Sequence, residues 1–322
     1  MTVTYRPATI DDAALAADVM TAAYPSLAQD AVLVRYRWEH PRSGYEYTRF
    51  LAERDGRAIA FLGSVHAPWQ QVPDRPCEVE VWLDQNALER TLLDEMWSWI
   101  SARAAAQDAR LLLAYCGEDE TLMLGSLASL GFARERAMKV WQLDLEKNGA
   151  RLLSEAAAAR AEMQSAGISL RTVADWRDGD RMNKLFELNK QTVQDVPHSL
   201  TIVAETFEDF DRRAHAPDRR DDRWWIALDG ERPIAMSFLK FPPVRGTVWT
   251  GYTCTDREYR GRGIARAVKL QSLAQAFELG VPLVCTDNDS ANAPMLHINE
   301  TLGYTRRPGF VEHHKRVKTN GA

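Results

Sequence analysis

Arg260-Gly261-Arg262-Gly263 sets two arginines and two glycines side by side, directly before a segment of helical periodicity. Ile264, Val268, Leu270, Leu273 and Phe277 recur at helical spacing, and Gly280 follows as a stop signal. The strand-like run "GTVWTGYTCT" (246–255) feeds the turn. A helix N-terminus offers unpaired backbone N–H groups and the positive end of its dipole, and glycine leaves those amides uncovered. Neighbouring arginines add charge-assisted bonds. Such a turn suits a phosphate or pyrophosphate. The pattern is short, however, and glycine also serves ordinary strand-to-helix turns.

A second set of reactive side chains lies upstream in "NKQTVQDVPHSLTIVAETFEDF", which carries Asp195, His198, Glu205 and Glu208. His198 follows Pro197 in a tight-loop context, and imidazole is suited to taking a proton from an ammonium near neutral pH. Carboxylates there can attract a cationic molecule, although a solvated helix face explains "EDFDRR" as well.

The elements that must hold these residues occur twice. "TYRPATIDDAALAADVMTAAY" is echoed by "SLRTVADWRDGDRMNKLFELN", "FLAERDGRAIAFLGSV" by "WWIALDGERPIAMSFL", and "SLASLGFARERAMKVWQLDL" by "INETLGYTRRPGFVEHHKRV". The offsets are all about 165 to 175 residues, the mark of a duplicated unit. Asp55-Gly56 and Asp229-Gly230 are expected to supply the positive φ angles of two tight hairpins. The order strand, helices, hairpin, strand, helix, strand, helix, strand predicts an α/β (α+β) fold: two tandem domains, each a central mixed sheet flanked by helices. The boundaries expected are 1–148 and 168–322, with a connecting helix over 149–167.

Composition narrows the function. The 322 residues carry a net charge of −5, which argues against a nucleic-acid surface and makes the basic turn a local feature. No apolar run reaches a membrane span, and the N-terminus lacks a secretory signal, so a cytoplasmic protein without a membrane partner is expected. Cys77, Cys116, Cys254 and Cys285 are far apart and form no C-x-x-C, so neither a disulfide framework nor a metal site is expected.

Beyond the helix after the basic turn comes the strand "PLVCT", then "DNDSANAPMLHINETLGY". There Asn292, Leu296 and Asn299 share a helical spacing that ends in Leu302-Gly303-Tyr304. With both motifs in order, the second half closely resembles the GNAT superfamily of N-acetyltransferases, and the first half resembles it in outline. The whole is similar to the tandem two-domain type seen in mycothiol synthases. The family's coenzyme A loop, Gln/Arg-x-x-Gly-x-Gly/Ala, is matched by Arg260, Gly263 and Ala265.

The resemblance implies acetyl-CoA as acyl donor, held by Thr253, Cys254, Thr255, Arg260, Gly261, Arg262, Gly263, Ile264, Ala265, Asn292 and Asn299. It also implies transfer to a small-molecule amine by direct attack, in a monomer or homodimer. The strand before the loop should polarise the thioester carbonyl through a backbone N–H. Strict alternation along that strand would put Trp249, Gly251, Thr253 and Thr255 on one face, with Trp249 and Gly251 lining an apolar acceptor pocket beside Glu205. The family's usual glutamate or histidine base is missing from that face, which leaves His198 as the expected base. The usual tyrosine acid is replaced by Asn299, which can hydrogen-bond but not ionise. The first half has "CEVEVWLDQNALER" at the matching turn, with no glycine, and is expected to be structural. A non-catalytic acyl-CoA-binding or regulatory protein is the alternative.

Overall fold

In the computed structural model, residues 2–201 and 203–317 are described, and their strands form one continuous twelve-stranded mixed sheet. The first half contributes β1 (Thr4–Pro7), α1 (Ala13–Ala23), α2 (Ala31–Glu39), β2 (Glu46–Arg54), β3 (Arg57–His66), β4 (Pro76–Leu83), α3 (Arg90–Ala106), β5 (Leu111–Gly117), α4 (Thr121–Ser129) and β6 (Ala133–Asp144). Helix α5 (Leu145–Ser165) leads into the second half. That half comprises β7 (Ile168–Thr172), α6 (Arg181–Val193), α7 (Phe207–Ala214), β8 (Trp224–Asp229), β9 (Arg232–Lys240), β10 (Val248–Thr255), α8 (Ile264–Glu278), β11 (Leu283–Asp289), α9 (Ala293–Thr301) and β12 (Thr305–Arg316).

Strand order is β1-β2-β3-β4-β5-β12-β6-β11-β10-β9-β8-β7. Each half therefore gives its last strand to the other. Strand β6 lies antiparallel to β11, from Asp289↔Met138 to Leu283↔Asp144, while β12 lies antiparallel to β5, from Phe310↔Gly117 to Arg316↔Leu111. The two exchanged strands also pair with each other, so the separate sheets expected from the repeat are fused at their centre.

Helices cover both faces. Helices α3 and α4 pack a core containing Met96, Trp97, Ile100 and Leu127, and α5 and α8 pack another containing Leu152, Val268 and Leu273. The opposite face carries α1 and α2 over the first half and α6 and α7 over the second. Gly149 on α5 lies so close to the Phe277 ring on α8 that a Cβ there would overlap it, which explains a glycine inside a helix.

The repeat extends to local detail. Asp84 accepts a bond from the Asn86 N–H at 2.9 Å and Asp256 from the Glu258 N–H at 3.0 Å, each opening a short 3₁₀ turn. Both carboxylates are also held by the first residue of the antiparallel neighbour strand, Arg57 of β3 at 2.8 Å and Arg232 of β9 at 2.7 Å. The hairpins differ from expectation in one respect. Asp55 and Gly56 both have positive φ, but Asp229 belongs to β8, and the second turn is Gly230-Glu231 with only Gly230 at positive φ. Both hairpins have the same register, with an irregularity between Ala52 and Glu53 in the first and between Ala227 and Leu228 in the second, so Gly230 stands where Asp55 does.

Candidate active site

Parallel neighbours β10 and β11 pair only at Val248↔Val284 and Trp249↔Cys285. Beyond those residues they diverge, leaving the facing edge of Thr250–Thr255 without a sheet neighbour. The basic turn lies at the open end. Gly261 and Gly263 have φ of 77° and 74°, and a Cβ on either would meet nothing within 4 Å. Gly263 is the N-cap of α8 and has no side chain to shield the first amides of the helix. Ile264 is buried in the core and anchors that first turn, while Ala265 is only partly covered.

The arginines of the turn are organised by Asp195, from the loop after α6. Its carboxylate binds Arg257 at 2.5 Å and also pairs with Arg260, and these contacts hold its acid down at about 2. Arg260 Nε donates to the Thr255 carbonyl at 3.2 Å, and Arg262 donates to the Glu258 carbonyl at 3.1 Å. Asp195 is thus a brace for the basic turn rather than a free carboxylate. Thr255 Oγ1 is buried at the end of the gap without a hydrogen-bond partner among the described residues. An orphaned hydroxyl, uncovered glycines and an unpaired strand edge converge there. The residues present fit a pantetheine with its pyrophosphate.

A bulge changes the sequence reading of β10. The register moves from Thr250↔Leu239 to Tyr252↔Phe238, so Gly251 occupies the irregular position. Its missing Cβ makes room for the Phe238 ring. Trp249 consequently faces the same way as Tyr252 and Cys254, while Thr253 and Thr255 face α8; Thr253 shares a 3.0 Å hydrogen bond with Ser237. The single face expected for Trp249, Gly251, Thr253 and Thr255 does not exist, because one extra residue reverses the alternation. Cys254 is buried, and that burial pushes its thiol up to about 12.

The bulge also reveals a phenol that alternation had hidden. Tyr252 OH donates to Thr192 Oγ1 at 3.2 Å, and burial raises its acid well above the ordinary tyrosine range. Across the gap, Asp287 stands two residues beyond Cys285 and so on the same face as Trp249. Asp287 is exposed at the gap, yet desolvation by the surrounding protein raises its carboxyl above the usual range, opposed by Lys240 and Lys269. Asp287 was missed because strict alternation was applied to β10 alone; the signal was "CTDND" entering the same gap from β11.

Asn299 is fully buried, which removes it from the cofactor contacts expected of it. Its Oδ1 accepts from Lys269 Nζ at 2.7 Å and its Nδ2 donates to Asn288 Oδ1 at 2.7 Å, so both ends of the amide are used internally. Lys269 lies with its ammonium 5.0 Å from the Tyr304 ring, and burial lowers its acid to about 7. Asn292 caps α9, accepting from the Met295 N–H at 3.4 Å, and remains partly exposed.

His198 is exposed, with Nδ1 2.7 Å from the Val196 carbonyl. Its loop is pinned on either side of it: Arg136 of β6 donates to the Pro197 carbonyl at 2.9 Å, and Ser199 donates to Glu312 of β12 at 2.5 Å. Glu205 is bound by Arg213 at 2.7 and 2.8 Å and lines a cavity of about 510 Å³ between the halves, where Lys240 of β9 also lies. Trp249 lines a separate cavity of about 470 Å³ with Cys285, Gln142, Arg307, Tyr24 and Glu120. Neither wall is the purely apolar one expected.

In the first half, β4 and β5 also part after three pairs, ending at Glu78↔Leu113. The turn that follows has no residue of positive φ between Asp84 and Arg90, and α3 starts behind Glu89. An acidic N-cap in place of glycine opposes a pyrophosphate.

Residues 185–304 match the Acetyltransferase (GNAT) family. The matched residues include the β10/β11 gap and the glycine turn, and the enzyme class is N-acetyltransferase. Over 308 residues the chain is 24% identical to the mycothiol acetyltransferase of Thermobifida fusca (strain YX), covering 90% of this chain and 89% of that one. Among solved structures it is similar to a tandem GNAT protein from the clavulanic acid biosynthesis pathway, with TM-score 0.76, 16% identity, and coverage of 99% and 100%. A GCN5-related N-acetyltransferase from Sphaerobacter thermophilus aligns with TM-score 0.68, 18% identity, and coverage of 98% and 96%. Both share the fold. No helix among the described residues is long and apolar enough to cross a membrane.

Proposed function

We propose that the chain transfers an acetyl group from acetyl-CoA to a primary amine of a small molecule, by direct attack, at the β10/β11 gap of its second half. The observation that carries this reading is the gap opening directly onto the uncovered Gly261–Gly263 turn. Acetyl-CoA bound there would supply the activated thioester carbonyl. The amides at the start of α8 and the Arg260 and Arg262 guanidiniums would hold its pyrophosphate, and the free edge of Thr253–Thr255 would bind along the gap and polarise the carbonyl.

Asp287 is the group best placed to take the proton from the attacking ammonium, since it stands in the gap and its raised carboxyl is closer to the working pH. Tyr252, whose phenol is kept protonated, can donate to the departing sulfur. His198 is exposed, with one ring nitrogen tied to its own loop, and is less well placed for this step. The first half serves as scaffold and as the far wall of the acceptor cavity. Assaying free thiol released from acetyl-CoA across a panel of amines tests the reading. Binding of acetyl-CoA without thiol release from any amine would instead favour a non-catalytic acyl-CoA-binding protein.

A further inference from the structure

The 510 Å³ cavity between α1, α2 and β2–β4 of the first half and α7, β9 of the second is unusually basic for a chain of net charge −5. Seven arginine and lysine side chains line it against four carboxylates. Two of those cations are neutralised in place: Arg213 by Glu205, and Arg212 by Asp209. Arg37, Arg49, Arg219 and Lys240 have no hydrogen-bond or ion-pair partner among the described residues. Arg49 and Arg219 instead lie against the aromatic faces of Trp38, Tyr47 and Phe238, at 4.3 to 5.0 Å. Nη1 of Arg219 is buried with nothing to bond.

Asp218 acts on both Arg219 and Lys240 without bonding either, and burial outweighs it: their acids fall, Arg219 to about 9 and Lys240 to about 8. An arrangement of this kind is relieved by an oxyanion from outside the chain. Its position links it to the gap. Lys240 is the register partner of Trp249, which pairs in turn with Cys285, two residues before Asp287. Lys240 and Asp287 thus stand on one sheet face, close enough for each charge to act on the other.

We propose that this cavity is an oxyanion subsite for the acceptor: the amine acetylated here also carries a carboxylate or a phosphate, held by Lys240 and Arg219 with Arg37 and Arg49 behind them. The proposal rests on the acetyl-transfer reading for the amine's fate, but the subsite can be tested without it.

The turnover test uses matched pairs on the full chain, β-alanine against propylamine and O-phosphoethanolamine against ethanolamine, with thiol release as readout. One charged member should exceed its neutral partner at least tenfold in kcat/KM, and which one does so separates carboxylate from phosphate. Lys240→Met and Arg219→Met should each erase that preference through KM, with Lys240→Arg restoring most of it. Equal kcat/KM within both pairs, or a preference that survives both substitutions, would overturn the subsite. If no amine releases thiol, acetyl transfer fails and calorimetry without acetyl-CoA decides the subsite alone. β-Alanine or inorganic phosphate should bind the parent and bind Lys240→Met at least tenfold more weakly. No binding to the parent, or equal binding to a folded variant, would refute it.

Discussion

At the scale of single residues, the coenzyme turn and the proton acceptor make separate demands. Gly263 holds φ at 74° with open space where a Cβ would be. Gly263→Val would fill that space and strain the backbone, so acetyl-CoA affinity should fall at least tenfold, about 1.4 kcal/mol or more. Calorimetry on the folded variant measures this, and unchanged affinity would remove the cradle from the account. Asp287 must be ionised to accept a proton. Since its acid is raised in the folded protein, turnover should decline as pH falls through that raised value. Asp287→Asn should lower kcat by roughly 10²-fold or more and abolish that acidic limb, while leaving acetyl-CoA binding intact. His198→Ala should keep both the limb and most of the rate; the reverse outcome for the two variants would return the role to His198.

At the scale of the element, the buried Lys269–Asn299–Asn288 chain ties α8, α9 and β11 together beneath the gap. The folded-state acid of Lys269, about 7, lies below its unfolded value of 10.5. Between those values the unfolded chain binds the extra proton, so this group makes stability rise with pH from about 7 and level off near 10.5. Lys269→Met should flatten that rise, as read from denaturant midpoints at a series of pH values. It should also cost about 1–3 kcal/mol at high pH, where Asn299 Oδ1 loses its donor and nothing offsets the loss. An identical pH slope in parent and variant would mean that Lys269 is not held in this environment.

Across the whole molecule, strand exchange makes each half depend on the other. Without β6, β11 has a bare edge on one side and a diverging neighbour on the other; without β5, β12 loses its outer partner. Residues 168–322 expressed alone should therefore fail to give a monomeric acetyl-CoA-binding domain, and co-expression with residues 1–167 should restore binding. A stable, binding-competent fragment would show that the exchanged strands are dispensable. Titration of the full chain should give close to one acetyl-CoA per molecule, because Glu89 and a glycine-free turn stand where the first half would need a cradle. Two equal sites would refute that asymmetry.

What the sequence determined by itself was local. Glycine at 261 and 263, the helix that starts behind them and the Asn292-to-Tyr304 segment are short-range features whose backbone conformation follows from residue type. They mark the turn proposed to hold the coenzyme, and the repeat announces two related halves. Only the tertiary structure decided matters of register and long-range pairing. One bulged residue at Gly251 turned Trp249 and Tyr252 to the face that strict alternation had assigned to Thr253 and Thr255. Asn299 occupies its motif position, yet whether an amide faces a groove or a buried lysine depends on the helix packed against it. Lys240 and Arg219 lie in the separate segments "FLKF" and "PDRRDD", and nothing in those strings places them around one cavity. The exchange of β6 and β12 is the largest such decision. Two strands of the same length and pattern can complete either sheet, and the choice lies in pairings between residues as far apart as Leu111 and Arg316, where periodicity carries no information.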